Sequence, residues 1–196
     1  MPTVLTPNLM IDPGFLWYAP AGTAFPALGG TAAGSVFTDS PSASFYEIGA
    51  TEAGYTFTYS QSIEAINVAE FYDPVKWRTT GRQGSFAFNM ADYTLKNMQR
   101  ALNGGVLSTQ SGAGATLVSK WVPPIVGGET RACLMWQSLD ATLRIFMYQV
   151  VQVNEIQTAF KKAPDYAVIP CEFRFEIDVS GNIFEFDTAG TTRLGN

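Results

Sequence analysis

Histidine is absent from the 196 residues, and that absence removes a large block of chemistry. Ser-His-Asp and Cys-His catalysis, imidazole-ligated zinc and histidine pH switches are all excluded. Cysteine is scarce. Cys133 and Cys171 are too few for a four-thiolate zinc site. They fall in separate strand-like runs, which reads as two buried thiols rather than a disulfide. Charge is sparse, at 15% of residues, and Lys+Arg 12 against Asp+Glu 17 leaves −5. A protein that grips nucleic acid by its phosphates needs a basic face, and this balance offers none. No apolar run approaches the ~20 residues of a membrane span. No basic-then-apolar leader is read at the start.

What the chain does contain points to a packed β protein. Hydrophobic residues make up 46%, and Phe 14 with Tyr 8 brings aromatics to 13%, a composition that favours strands. The length fits a single domain over 1–196, able to bury roughly 70% of its unfolded surface without disulfides. Residues 1–38 hold one charged residue, Asp12, among five prolines and five glycines. They read as an extended arm with one short strand around Phe15, Leu16, Trp17 and Tyr18.

From Phe45 the apolar period is two. Tyr55, Phe57 and Tyr59 alternate with Thr56, Thr58 and Ser60, a half-buried strand. A β-compatible run from Ile63 to Tyr72 ends at Asp73-Pro74, with Glu64, Ile66, Val68 and Glu70 on one parity. A bulge, or a face charged at its ends, accounts for that pattern. Lys76, Arg78 and Arg82 gather around Gly81 as a basic loop. Phe86, Phe88 and Met90 mark the next strand. Asp92 is the expected cap of one helix, Tyr93 to Leu102, with Leu95, Met98 and Leu102 on its apolar face, Arg100 in its last turn and Gly104 ending it. Residues 103–116 read as a Gly/Ser-rich surface loop, within a loop-rich insertion over 103–130. Strands follow at Leu117–Val122, Ala132–Ser138 and Thr142–Val153, then a polar loop over 154–165 containing Lys161 and Lys162. In the last strand Cys171, Phe173, Phe175 and Ile177 oppose Glu172, Arg174, Glu176 and Asp178. Ser180-Gly181-Asn182 turns it into Ile183–Asp187. The expected fold class is mainly β: an antiparallel sandwich or barrel with one flanking helix.

No phosphate-cradling loop is present, since Gly104-Gly105 and Gly127-Gly128 lack the Lys and Ser/Thr that should follow. Glu172, Glu176 and Asp178 could in principle serve as acid and base, but a solvated β face explains them equally. No catalytic, cofactor or metal residue stands out.

Five stretches carry a resemblance: WYAPAGTAFP at 17–26, YEIGATEAGYTF at 46–57, SIEAINVAEFYDP at 62–74, the strand–cap–helix unit at 84–102, and IPCEFRFEIDVSGNIFEFD at 169–187. In this order they resemble the major tail tube protein of long-tailed bacteriophages, those of actinobacterial hosts in particular. The resemblance implies a structural virion protein of the phage tail, assembled in the host cytoplasm, with no enzymatic activity, no cofactor and no membrane partner. Six subunits would close into a ring, and rings would stack head to tail into a hollow tube. The other implied partners are the tape measure, tail terminator and distal tail proteins, with DNA passing through the lumen unbound. Lumen carboxylates would come from Glu64 and Glu70, or from Glu172, Glu176 and Asp178. Lys76, Arg78 and Arg82 would meet carboxylates across a subunit interface. The competing readings are a β-sandwich carbohydrate-binding module, a carboxylate hydrolase, and a minor tail or baseplate protein of the same fold.

Overall fold

The computed structural model describes residues 14–26, 44–111, 117–139, 141–160 and 166–188. The remainder of the expected arm, including Leu5, Leu9, Met10 and Ile11, lies outside the described residues, as do Lys161 and Lys162.

The fold is mainly β with one helix, an antiparallel sheet curled into a half-barrel. Its strands are β1 (Gly14–Pro20), β2 (Tyr46–Glu47), β3 (Thr51–Ile66), β4 (Lys76–Met90), β7 (Ala132–Ser138), β8 (Leu143–Gln152), β9 (Ile169–Glu176) and β10 (Phe184–Thr188). The helix α1 spans Leu95–Ala101, and β5 (Val106–Ser111) pairs with β6 (Leu117–Val122) in a separate small sheet. The large sheet runs β2-β1-β7-β8-β9-β4-β3, with β10 on β8.

Alternation decides which side chains fill the interior. Phe86, Phe88 and Met90 of β4 and Cys171 and Phe173 of β9 are buried, together with Leu134, Trp136, Ile145 and Met147 from β7 and β8. Tyr55 and Phe57 of β3 pack against this cluster, with Tyr55 stacked on Phe86 at 5.7 Å. Two of the three β3 aromatics, Tyr55 and Phe57, are therefore spent on the core, and Tyr59 packs on Phe184. A second cluster covers the outside of β1, β7 and β8: Ala19, Phe45, Cys133, Met135 and Phe146, with Phe25 against them. Cys133 and Cys171 are both free and buried. Burial pushes their thiols up to about 11 and about 12, which keeps them protonated and unreactive. The arm's strand is an inner strand of the sheet, because Leu16 and Ala19 are buried and all of β1 registers with β7.

Several expectations are corrected. Val106–Ser111, expected as loop, is a strand, because Leu117–Val122 supplies it with a full antiparallel partner. The strand expected to reach Tyr72 stops at Ile66, where the Val75 N–H returns to the Ile66 carbonyl and closes a turn. The basic segment Lys76–Arg82 is not a loop: it is the first half of β4, paired with β3 from Ile66↔Lys76 to Gln61↔Arg82. A strand exposed on both faces tolerates charges at any parity. The expected bulge within the Ile63–Tyr72 run is not found: the register shifts between Glu52 and Tyr55 and between Ser62 and Ile63, and at the latter the extra residue is Thr80 of β4, so the parity of Glu64 and Ile66 on β3 is unchanged. The helix cap is Thr94 rather than Asp92. The Thr94 side chain accepts the Asn97 N–H at 3.1 Å, while the Asp92 carbonyl receives the Thr94 N–H and the Asn97 side-chain amide. The face of α1 that is buried carries Asn97, Arg100 and Ala101, not Leu95, which is 40% exposed.

The final strands do not form the expected hairpin. β9 pairs β8 through Glu176↔Gln149, and β10 pairs the same strand from Phe184↔Met147 onward. β10 thus continues the course of β9 along β8 after an excursion at 177–183. Asp178 holds that excursion by accepting the N–H groups of Ser180 and Asn182. On β10 the buried Asp187 registers with Arg144 and lies beside Glu185. Burial, and then the Glu185 carboxylate, raise the Asp187 pKa from 3.8 to about 6. Ionisation is therefore harder in the folded chain than in the unfolded one. Its destabilising effect is absent below pH 3.8, grows as pH rises, and is complete above about 6. The Asp187→Asn variant should match the parent's melting temperature near pH 4 and exceed it at pH 7.5. Equal melting temperatures at both pH values would show that Arg144 compensates the charge in full.

Candidate assembly interface

β3 and β4 are the longest strands, 16 and 15 residues, and they share more length with each other than with the rest of the sheet. β4 registers with β9 only from Ser85 to Met90. Among the described residues, Lys76 to Gly84 therefore has β3 as its one registered strand partner, and β3 has none on its far side. Aromatic packing on Phe184 supports the pair as far as Tyr59. Beyond it, every residue from Gln61 to Thr80 except Ala65 is exposed. From the Gln61↔Arg82 pair to the Ile66↔Lys76 pair this free ribbon runs roughly 17 Å at the usual strand rise of about 3.3 Å.

The ribbon is apolar where a solvated hairpin would be polar. Ile63, Val75 and Trp77 are 53%, 57% and 64% exposed, and at the tip Phe71 is 65% exposed and Tyr72 fully so. Register gives this surface a direction. Ile63 and Ala65 share the parity of Tyr55, Phe57 and Tyr59, and they face Thr79 and Trp77 on β4. The face that packs the subunit core thus runs on along the ribbon: after the polar Gln61–Arg82 pair its apolar side chains resume with Ile63, Ala65 and Trp77, and among the described residues nothing buries Ile63 or Trp77. A two-stranded hairpin alone is at best marginally stable in water, and a long edge strand with apolar side chains is a template for pairing. Contiguous exposed apolar surface rimmed by polar groups marks a contact site.

The opposite face is polar. Thr56, Thr58 and Ser60 of β3 lie with Gln83, Ser85 and Asn89 of β4 and Glu172, Arg174 and Glu176 of β9. Glu64 falls on the same face by parity, opposite Arg78, and Lys76 lies two residues from Arg78. The expected lumen carboxylates are thus divided. Glu64, Glu172 and Glu176 share one face, Glu70 lies on the exposed tip, and Asp178 is engaged in holding its turn. Three carboxylates of the face have a cation close by in register or space: Arg78 for Glu64, Arg174 at 3.9 Å for Glu172, and Arg131 at 2.7 Å for Glu176; a fourth, Glu52, accepts from the Asn89 amide at 3.4 Å. Arg131 and Gln149 hydrogen-bond Glu176 and hold its pKa below the ordinary value against the opposing effect of burial. The face is charge-matched rather than acidic. Arg82 points away from it by parity and lines an open cleft with Tyr59, Tyr148 and Glu185.

Three functional features escape a sequence reading. The buried pair Asn97 and Arg100 ties α1 to the chain around β2: the Asn97 amide donates to the Ile48 carbonyl at 3.0 Å, and Asn97 Oδ1 accepts from Arg100 at 2.8 Å. Tyr148, on β8, donates to Glu185, which raises its pKa to about 12. The apolar stripe on the ribbon is visible only once the register past the bulge is known.

Among the described residues no group of three or more Asp, Glu or Cys is arranged to hold a metal ion, and no helix is long and apolar enough to cross a membrane. Comparison with protein-family models and with curated proteins yields no match to this chain.

Proposed function

We propose that the chain is a structural subunit of a phage tail tube, assembling with copies of itself into rings that stack into a hollow tube through which DNA passes. One observation carries the reading: beyond the Gln61–Arg82 pair, the β3–β4 ribbon carries the core face's apolar side chains onto a surface that no described residue of the subunit covers. A monomeric binding module gains nothing from such a ribbon. A subunit that seats it on a neighbour buries the stripe and protects the β3 edge in the same contact. The order of sequence motifs, resembling the major tail tube family, supports the same conclusion.

In this reading the polar face of β3, β4 and β9 lines the lumen. Hydroxyls and matched charge pairs offer no surplus of lysine or arginine, so passing phosphates release few counterions and do not adhere. Contacts that repeat head to tail without closing generate filaments, and contacts that close generate rings; a tube needs both. Negative-stain electron microscopy of the concentrated, purified protein tests the proposal. The expected images show hollow tubes of uniform width, formed without nucleotide or metal. Isolated rings that never stack would favour a minor tail or baseplate role for the same fold. A chain that remains monomeric at all concentrations would sink the proposal.

A further inference from the structure

Arg100 is 8% exposed, and its environment is unusual for a cation. Its guanidinium carbon lies 5.6 Å from the ring centre of Tyr18 and 5.5 Å from that of Tyr46, a sandwich favourable to a flat cation. One terminal nitrogen donates to Asn97 Oδ1 at 2.8 Å and to the Glu47 carbonyl at 3.4 Å. Those partners are neutral. The ion pairs among the described residues join Arg131 to Glu176 and Arg174 to Glu172; Arg100 has no carboxylate in contact. Burial lowers its pKa against the opposing effects of Tyr18, Tyr46 and the Asp92 carboxylate, which makes no ion pair with it.

The guanidinium also lines a cavity. Tyr18, Tyr46, Lys96, Arg100 and Thr130 enclose about 180 Å³ beside the Gly104-Gly105 backbone. Lys96 is exposed on α1, held by Gln99 at 3.1 Å. Gln99 is itself fixed by donating to the Gly105 carbonyl at 2.7 Å. Two cations thus converge on a small recess with an aromatic wall and no anion inside. Its size suits the end of an acidic side chain.

The ribbon tip carries the complementary chemistry. Glu70 and Asp73 flank Phe71 and Tyr72, and all four are exposed. Tip and recess stand at opposite ends of β4, since the tip precedes Lys76 and α1 follows Met90. A strand of that length spans on the order of 45 Å, so a tip cannot reach the recess of its own chain. We propose that the Arg100 recess receives a ribbon-tip carboxylate, Glu70 or Asp73, from a second copy of this chain. The inference rests on the assembly reading above and assigns one of its contacts. Carboxylate and guanidinium would form a charge-assisted hydrogen bond, and the tip aromatics would cover the mouth beside Tyr46.

The test uses assembled wild-type protein made from a mixture of isotopically light and heavy chains, treated with a zero-length carbodiimide cross-linker. Mass spectrometry should find Lys96 joined to Glu70 or Asp73 in mixed light–heavy pairs. Lys96→Glu should raise the concentration needed for assembly by about tenfold, the loss of one good charged contact. Glu70→Gln combined with Asp73→Gln should raise it likewise, because the tip then brings no carboxylate to Arg100 and Lys96. Arg100→Gln should act as Lys96→Glu does, read only on protein whose circular dichroism matches the parent. Assembly of Lys96→Glu at the parent's concentration, with Lys96 unlinked in wild-type tubes, overturns the recess assignment alone. A wild-type chain that never assembles overturns the assembly reading and this inference with it.

Discussion

A chain in which residues 61–82 are replaced by Asn-Gly should fold as a stable monomer and form no tubes. Ser60 and Gln83 are register partners, so a two-residue turn of the kind Asn-Gly favours can join them. The deleted segment makes no contribution to the buried clusters, whose β3 and β4 members lie between Tyr55 and Met90 on the sheet side of the cut. Its internal gains are cross-strand pairs such as Glu64 opposite Arg78, worth about 0.2–1 kcal/mol each, and these are offset by the entropy of ordering a free ribbon. The melting temperature should therefore stay within about 4 °C of the parent, the shift expected for roughly 1 kcal/mol in a chain of this size. Assembly should fall much further, because the shortened chain loses Ile63, Phe71, Tyr72 and Trp77 together. Calorimetry, size-exclusion chromatography and electron microscopy read the two effects separately. Tubes that still form would remove the ribbon from the interface. A subunit that fails to fold would place the ribbon inside the cooperative core.

The same ribbon shows where sequence reading succeeds and where it stops. Period-two alternation identified the strands that pack the interior, because the burial of Tyr55, Phe57, Phe86, Phe88 and Phe173 is a local property of each strand. It looked for a bulge, or a face charged at its ends, in the Ile63–Tyr72 run, whereas the extra residue is Thr80 on the partner strand. It misjudged Lys76–Arg82, because three cations around Gly81 look like a solvated loop until a partner strand is known. Register is a property of two segments and is not written in either. The β9–β10 relation failed for the same reason: Ser180-Gly181-Asn182 has turn chemistry, yet the turn returns the chain to β8 rather than folding it back on β9. On α1 the spacing of Leu95, Met98 and Leu102 suggested an apolar face; Met98 does pack against the core, Leu95 is exposed, and the buried positions are Asn97, Arg100 and Ala101. Asn97 donates to the Ile48 and Asp92 carbonyls, and Arg100 finds two tyrosines from distant strands. Carboxylate positions were legible as a set, but their partners were not. Arg131 reaches Glu176 from 45 residues away, so a face that looked acidic in one strand is neutral in three dimensions.

Phe173→Ala should have the opposite signature to the ribbon deletion: loss of subunit stability first, and of assembly only as a consequence. Phe173 is 1% exposed and stands where three strands meet, in register with Phe86 on β4 and Gln152 on β8. Its ring lies 5.9 Å from Phe88 with the planes only 10° apart. Truncation removes the ring's burial and leaves a void whose walls belong to paired strands, which cannot collapse freely. Such Phe→Ala changes cost about 3–5 kcal/mol, against total stabilities of about 5–15 kcal/mol for folded domains. Urea unfolding at a concentration too low for assembly should show a lower midpoint with an unchanged slope. Once folded, the variant still carries an intact ribbon and an intact Arg100 recess. Raising its concentration at low temperature should therefore recover tubes that the ribbon deletion never forms. A loss under about 1 kcal/mol, well below the usual range for a buried ring, would mean that β4 and β9 close over the void. The half-barrel would then be more compliant than its registered strands imply. Tubes absent at every concentration, despite a folded subunit, would show that the interface depends on the curvature that Phe173 sets in the sheet and not on the ribbon alone.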